Sequence, residues 1–190
     1  MKHVILASKS PRRKNYLKQM KIPFEAVDPD ICEQTSLIRP HAIVKHLALK
    51  KALKIAEKYP DNVVIGADTI VVCQGKIVGK PANPLQAFKI LQLENGNWQK
   101  VYTGLALIWK SKGKTFVGYE MSKCKARKLT NAQLKKLAVK HTDKAGAYAV
   151  QDKDDPFIEK IKGSYDNVVG FPVKLFRKML KRTVSKFDNI

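Results

Sequence analysis

Any fold for this chain must accommodate the stretch from Val63 to Pro81. Val63–Ile65 and Ile70–Cys73 are β-branched runs, Gln74-Gly75 suits a tight turn, and Lys76–Val78 reads as a return strand, so the spacing predicts a β-hairpin. Between the two runs stands Gly66-Ala67-Asp68, where small residues let the backbone approach a neighbour closely and an acid leaves the end of an apolar strand. Such a carboxylate either caps a turn or pairs with a lysine, or it serves chemistry. Gly79-Lys80-Pro81, at the other end of the hairpin, can return a cation towards Asp68. An acid and a base on one hairpin point to a phosphate or metal–phosphate site.

The flanking segments alternate. His3–Ala7 reads as a short apolar strand followed by Ser8-Lys9-Ser10-Pro11-Arg12-Arg13. Ser10 as N-cap and Pro11 in the first turn predict a helix to Met20 with Tyr16, Leu17 and Met20 buried. A helix N-terminus with Arg12 and Arg13 beside it suits an anion, because its free N–H groups and dipole favour negative charge and guanidinium forks grip phosphate oxygens. Phe24–Val27 reads as a second strand running into the acidic segment Asp28-Pro29-Asp30-Ile31-Cys32-Glu33, which is either loop chemistry or a source of oxygen ligands for a hard cation. His41–Tyr59 is amphipathic, with Ile43, Val44, Leu47, Ala48, Ala52, Leu53 and Ala56 at helical spacing and Lys50 and Lys51 beside that face.

Beyond the hairpin, the pattern predicts a helix over 84–93, strands over 100–109 and 115–126 joined by a basic turn, and a helix over 131–139. Asp143 to Gln151 reads as a short strand of small residues with Gln151 at its end, 157–161 as a strand, 163–172 as a Gly-bounded segment, and 173–180 as an amphipathic helix. Helices interleaved with hairpin strands argue for an α/β protein with a mixed sheet. No Gly-x-Gly-x-x-Gly, P-loop or His-Glu-x-x-His pattern occurs, which removes the sequence support for dinucleotide, P-loop and zincin chemistry.

Composition narrows the class. With 190 residues and 44% apolar content the chain reads as one domain, 1–190, able to bury a sizeable core and divided at most into two lobes without a linker. Cys32, Cys73 and Cys124 are odd in number and lack ligand spacing, as expected for reduced thiols in a cytoplasmic protein. Val4–Ala7 is too short an apolar run for a signal segment or a membrane span. The net charge of +21 draws polyanions in general, whether nucleic acid, anionic membrane or nucleoside phosphates, without choosing among them, and the scattered lysines, with no aromatic interleaving, read for the most part as solvated basic faces.

Taken together, Leu6–Arg13, Gly66–Val71, Gly79-Lys80-Pro81, Val101-Tyr102-Thr103-Gly104, Asp143–Tyr148 and Gly163–Gly170 resemble, in order, the signature blocks of the Maf family of nucleoside triphosphate pyrophosphatases. The resemblance implies hydrolysis between the α and β phosphorus to a monophosphate and pyrophosphate, with a divalent cation, magnesium or manganese. It implies a mixed, strongly bent β-sheet flanked by helices, two lobes with the active site in the cleft between them, and often a homodimer. Carried over, it gives Ser8, Arg12 and Arg13 to the phosphates, Lys51 and Lys80 to added positive charge, and Glu33 and Asp68 to the metal, with Asp68 as proton acceptor. Such a set makes chemical sense: a leaving pyrophosphate needs fixed cations, and an attacking water needs a group to orient and deprotonate it. Gln99 stands where the family usually has His, and Asp152 where it usually has Gly.

Within the family this chain resembles the branch acting on dTTP and UTP, through Arg12, Thr69 and Gln151; the sister branch, acting on 7-methyl-GTP, has Gln and Glu in place of the Thr and Gln. A carboxamide offers one donor and one acceptor to the O4 and N3–H edge of uracil or thymine, whereas a carboxylate accepts from the N1–H and N2 amino donors of guanine. The contrasting expectation, from the charge, is a basic module binding nucleic acid or a division-machinery partner without turnover. The enzyme is favoured because a passive phosphate binder has no use for Glu33 and Asp68 beside its cations.

Overall fold

The computed structural model describes residues 4–140, 142, 144–152 and 154–183; His3 of the first expected strand and Asp143 of the small-residue block lie outside them. The elements run β1 (Val4–Ala7), α1 (Pro11–Gln19), β2 (Phe24–Val27), α2 (Pro40–Ala56), β3 (Val64–Cys73), β4 (Lys76–Val78), α3 (Pro84–Glu94), β5 (Trp98–Trp109), β6 (Lys114–Ala126), α4 (Asn131–Ala138), β7 (Ile158–Lys162), α5 (Tyr165–Val169) and α6 (Val173–Thr183). The sheet has the order β2-β1-β3-β5-β6-β7, with β4 paired to β3. It is mixed: β1 runs parallel to β2 and β3, while β4 is antiparallel to β3 and β7 antiparallel to β6. This is the expected mixed α/β architecture.

The residues cluster into two compact units, Met1–Asp68 with Thr103–Glu120 and Gly170–Ile190, and Thr69–Tyr102 with Met121–Val169. In the first unit, strand alternation sorts side chains onto two faces. Val4, Leu6, Ile65, Ala67, Leu105 and Leu107 pack with Leu17 of α1 and Phe176, Met179 and Leu180 of α6. Ile5, Ala7, Val64, Ala106 and Ile108 pack with Ala48, Ala52 and Ile55 of α2. Helix α2 lies very close to the strands. A Cβ on Gly66 would stand 2.1 Å from the Ala48 carbonyl oxygen, and one on Gly104 2.1 Å from that of Val44. Gly66 thus permits the close backbone approach expected of it, and what approaches is a helix.

Several local expectations are corrected. The two β-branched runs around Gly66-Ala67-Asp68 form one continuous ten-residue strand, because these residues fit extended backbone as their neighbours do. Leu53 is 45% exposed although its spacing placed it with the core; Lys51 takes an inward position instead. Ser10 stands at the N-cap of α1 without a side-chain capping bond, and its N–H donates to Ser8 Oγ at 3.2 Å. The small-residue block is no strand. Ala145–Ala147 forms a 3-10 turn, with Gly146 and Ala147 both at positive φ, 79° and 55°.

In the second unit, α3 and α4 bury Ala87, Leu91, Leu134 and Leu137 around Tyr148 and Phe157. A second cluster joins Val71, Cys73, Val78, Val101 and Cys124. Cys73 and Cys124 are free and buried, and burial pushes their thiols up to about 11 and about 12, which makes them unreactive. Glu94 at the end of α3 is wholly buried, and both its carboxylate oxygens lack a hydrogen-bond partner among the described residues. Burial raises its pKa well above the ordinary carboxylate range.

That raised pKa has a definite sign. The unfolded chain releases the Glu94 proton at lower pH than the folded one, so stability is lost as pH rises above about 4.5. Glu94→Leu is expected to stabilise the protein at pH 8 by about 1–3 kcal/mol, the cost of an unpaired buried polar group. The gain should shrink towards pH 4.5 in parallel thermal unfolding. A gain independent of pH would show that packing, not ionisation, is responsible.

Candidate active site

Two backbone arrangements in the first unit bring the polar residues together. Strand β1 is buried throughout and ends at Ala7, so Ser8 begins the connection to α1 while still only 6% exposed. Arg13, one turn into α1, donates from Nη1 to Ser8 Oγ at 3.2 Å and from Nε to the Gly170 carbonyl oxygen at 3.0 Å. Those bonds fix the guanidinium plane. Burial pulls the Arg13 pKa down to about 10; the charges of Asp68 and Glu33 oppose the shift and that of Arg12 adds to it. Arg13 is therefore a half-buried, still protonated cation within the electrostatic reach of two carboxylates. Arg12 is half-buried.

The second arrangement is made by α2 packing on β3. Val64, Gly66 and Asp68 alternate onto the α2 side of the strand. Because Gly66 lets α2 lie against it, Lys51, on the inward face with Ala48 and Ala52, reaches Asp68: Nζ donates to Asp68 Oδ1 at 2.6 Å. The same ammonium meets Glu33 Oε1 at 2.7 Å. Lys51 and Asp68 side chains are 9% and 8% exposed, whereas that of Glu33 is 51% exposed. A buried lysine thus ties a buried acid to one that faces solvent.

Glu33 is placed by a loop that α2 lysines hold in position. Lys50 Nζ donates to the Cys32 carbonyl oxygen at 2.9 Å and Lys54 Nζ to that of Asp30 at 2.6 Å. Lys9 pairs with Asp28 at 2.6 Å, a contact that raises the lysine pKa and lowers that of the acid. The Asp30 N–H donates to Asp28 Oδ1 at 3.2 Å, closing an Asx turn. Asp28 and Asp30 thus shape the loop, leaving Glu33 as its acid at the site.

The remaining expected residues lie in the second unit. Thr69 follows Asp68 in β3 and is half-buried; Lys80, after β4, is exposed, as is Gln151 in a turn. That turn is closed by the Asp152 N–H donating to the Ala149 carbonyl oxygen at 2.9 Å. It is set by Asp155, a residue the sequence reading missed, whose carboxylate accepts from the N–H groups of Ala149 at 2.7 Å and Phe157 at 2.9 Å. The available signal was the Asp155-Pro156 pair, a turn initiator. Also missed was Asn167, whose Nδ2 donates to the Val101 carbonyl oxygen at 3.1 Å and to Ser122 Oγ at 3.0 Å, fixing the Gly163–Gly170 block from within.

Among the described residues no group of three or more His, Cys, Asp or Glu side chains is arranged to hold a metal ion. The pair Glu33 and Asp68 nevertheless fits a hard cation in one respect. Both present oxygen to a single positive point, within 2.7 Å of Lys51 Nζ. Magnesium in phosphoryl-transfer sites commonly takes only one or two carboxylates and completes its shell with water and substrate phosphate. No helix among the described residues is long and apolar enough to cross a membrane.

A family model described as Maf-like protein matches residues 3–183. A protein of Elusimicrobium minutum named dTTP/UTP pyrophosphatase is 53% identical over 178 residues, covering 94% of this chain and 97% of its own length. A Bacillus cereus protein of the same name is 42% identical over 185 residues, 96% of each chain. Among solved structures, the Staphylococcus aureus Ham1 protein aligns with 96% of this chain and 100% of its own at a TM-score of 0.50 and 12% identity, a likeness of fold.

Proposed function

The chain belongs to the Maf family, and from that premise we propose that it hydrolyses dTTP and UTP to the monophosphate and pyrophosphate. The names of its relatives support the reaction class and the pyrimidine substrates. The observation that carries the mechanism is the buried Lys51 ammonium bonded to both Asp68 and Glu33, with the Arg13 cation close enough to feel both acids.

In this reading Arg13, held rigidly by Ser8 and Gly170, grips phosphate oxygens together with Arg12, and Lys51 and Lys80 add charge against the polyphosphate. Asp68 orients a water and takes its proton as the water oxygen bonds to the α phosphorus. The bond from that phosphorus to the bridging oxygen breaks, and pyrophosphate leaves with the electron pair, its charge spread over the fixed cations. Glu33 and Asp68 are the residues that would hold magnesium or manganese, which when bound supplies Lewis-acid polarisation of the phosphate and a more acidic water. Preorganisation is the contribution of the chain itself: the guanidinium and the ammonium are already fixed before substrate arrives.

Pyrophosphate release from dTTP, UTP, CTP, dGTP, ATP and 7-methyl-GTP, with magnesium or manganese and with chelator, tests this reading. Metal-dependent release largest with dTTP and UTP is expected; a preference for 7-methyl-GTP would overturn the base assignment and keep the chemistry. Base choice is given to Thr69 and Gln151. Gln151→Glu is expected to lower kcat/KM for UTP about 10²-fold by removing the donor that faces O4. An unchanged profile across the six nucleotides would remove Gln151 from recognition.

A further inference from the structure

Part of the excess of positive charge lies on a surface that the hydrolytic site does not use. Helix α6 carries Lys174, Arg177, Lys178, Lys181 and Arg182, and no acid stands anywhere between Gly170 and Thr183. All five are exposed, while Phe176, Met179, Leu180 and Thr183, which alternate with them at helical spacing, are buried. Arg182 lies over the Phe116 ring at 4.8 Å. On the same side of the first unit, packed into the same apolar cluster through Leu17, α1 presents Lys14 and Lys18, and the chain from Pro11 to Phe24 is likewise free of acids. The helix layer formed by α1 and α6 therefore contains cations and no counter-charges of its own.

Like charges at i, i+3 and i+4 along one helix repel each other and weaken it. Five on one face of an eleven-residue helix are a standing cost that an external polyanion offsets. We propose that the outer face of α6, flanked by α1, is a docking surface for the phosphate backbone of double-stranded nucleic acid, bound without sequence preference. The cations extend over about 12 Å of helix axis at 1.5 Å per residue, and a duplex offers one charge per about 1.7 Å of its own axis. Successive cations are thus about 3 Å apart along the axis, close to the spacing of about 3.4 Å per charge along one strand of the duplex.

The chemistry of the face selects the duplex over the other polyanions. Single strands are held by exposed aromatic platforms on which bases stack; none stands on this face of α6, and the neighbouring Phe116 ring is already covered by Arg182. A membrane-surface helix inserts its apolar side chains below the headgroups, but those of α6 are committed to the core, with Phe176 0% exposed and Leu180 7% exposed. What is left is a row of exposed cations on a helix anchored by its buried face, suited to a row of phosphates.

Binding of a fluorescent mixed-sequence DNA duplex by the full chain, measured between 50 and 200 mM salt, tests the proposal. Each phosphate neutralised contributes about −0.9 to the slope of log affinity against log salt, so five contacts give a slope of about −4.5. The quadruple variant K174Q/R177Q/K178Q/K181Q should bring that slope to about −1 and weaken binding at least 10²-fold in low salt. Glutamine preserves helix propensity, so pyrophosphate release from UTP and thermal unfolding should stay as in the parent. A variant with Lys174, Lys178 and Lys181 replaced by Arg keeps the charge and should keep the slope. An unchanged slope in the quadruple variant would overturn the proposal, as would absence of duplex binding by the parent chain at 50 mM salt. Tighter binding to phosphatidylserine vesicles than to duplex at equal salt would also overturn it, assigning the face to a membrane surface.

Discussion

Asp68→Asn is expected to reduce pyrophosphate release from dTTP and UTP by about 10²–10⁴-fold, the range associated with removal of a general base, while leaving the fold in place. The carboxamide has the shape of the carboxylate, and its oxygen can still accept the Lys51 Nζ bond now made at 2.6 Å. What it loses is the charge and the ability to take a proton. Glu33, 2.7 Å from the same ammonium, continues to neutralise Lys51, so the loss of stability should stay below the roughly 3–5 kcal/mol that follows when a buried ion pair is broken outright. Asp68→Ala removes the acceptor as well and should approach that range. Activity and thermal unfolding measured on the same samples separate the two roles. A rate near that of the parent in Asp68→Asn would show that the acid is there only to hold Lys51, the reading in which the carboxylate pairs with a lysine for structure alone.

Both readings of Asp68 were open in the sequence, and the structure satisfies the bland one without displacing the other: Asp68 does pair with a lysine, and that lysine also holds Glu33. The partner is less legible than the acid. Apolar periodicity places Ile43, Val44, Leu47, Ala48, Ala52 and Ala56 on the inward face of α2 and all of them are buried there, but it counts Leu53 with the core, where Leu53 is exposed, and sets Lys50 and Lys51 alike beside that face, where Lys51 alone is buried. A pattern based on apolarity has no means of telling which of two neighbouring lysines is buried because another charge waits for it. Turn chemistry fails differently around Gln151. Small residues pass for a strand, whereas Gly146 and Ala147 adopt positive φ and the turn beyond them is organised by Asp155 from downstream. Elements that depend on their own sequence were legible. Pro11 opens α1 and Pro84 opens α3, and the basic and apolar faces of α6 alternate as its sequence dictates.

Gly66→Ala should show how far the chemistry depends on packing at a distance from any substrate. The added Cβ would fall 2.1 Å from the Ala48 carbonyl oxygen, 2.8 Å from the Ala52 backbone nitrogen and 2.9 Å from the Ala52 Cβ. Nearly all of that is helix backbone, which cannot rotate out of the way as a side chain could, so α2 has to move off β3 as a body. Overpacking of this kind costs about 1–3 kcal/mol, and for a chain of this size each kcal/mol lowers Tm by about 2–4 °C, which gives an expected fall of roughly 2–12 °C. Lys51 stands between Ala48 and Ala52 in the same helix, so the displacement is passed directly to the Lys51 ammonium and its bonds to Asp68 and Glu33. A misplacement near 1 Å costs about 10²-fold in rate. Activity should therefore fall well below what the loss of stability alone would cause at a temperature where the variant is folded. Gly79→Ala, with nothing within 4 Å of its added carbon, provides the comparison for Tm and should leave it unchanged. A Gly66→Ala protein that melts with the parent would mean that α2 can yield at no cost; one that melts early but keeps full activity when folded would mean that Lys51 need not be held where α2 puts it.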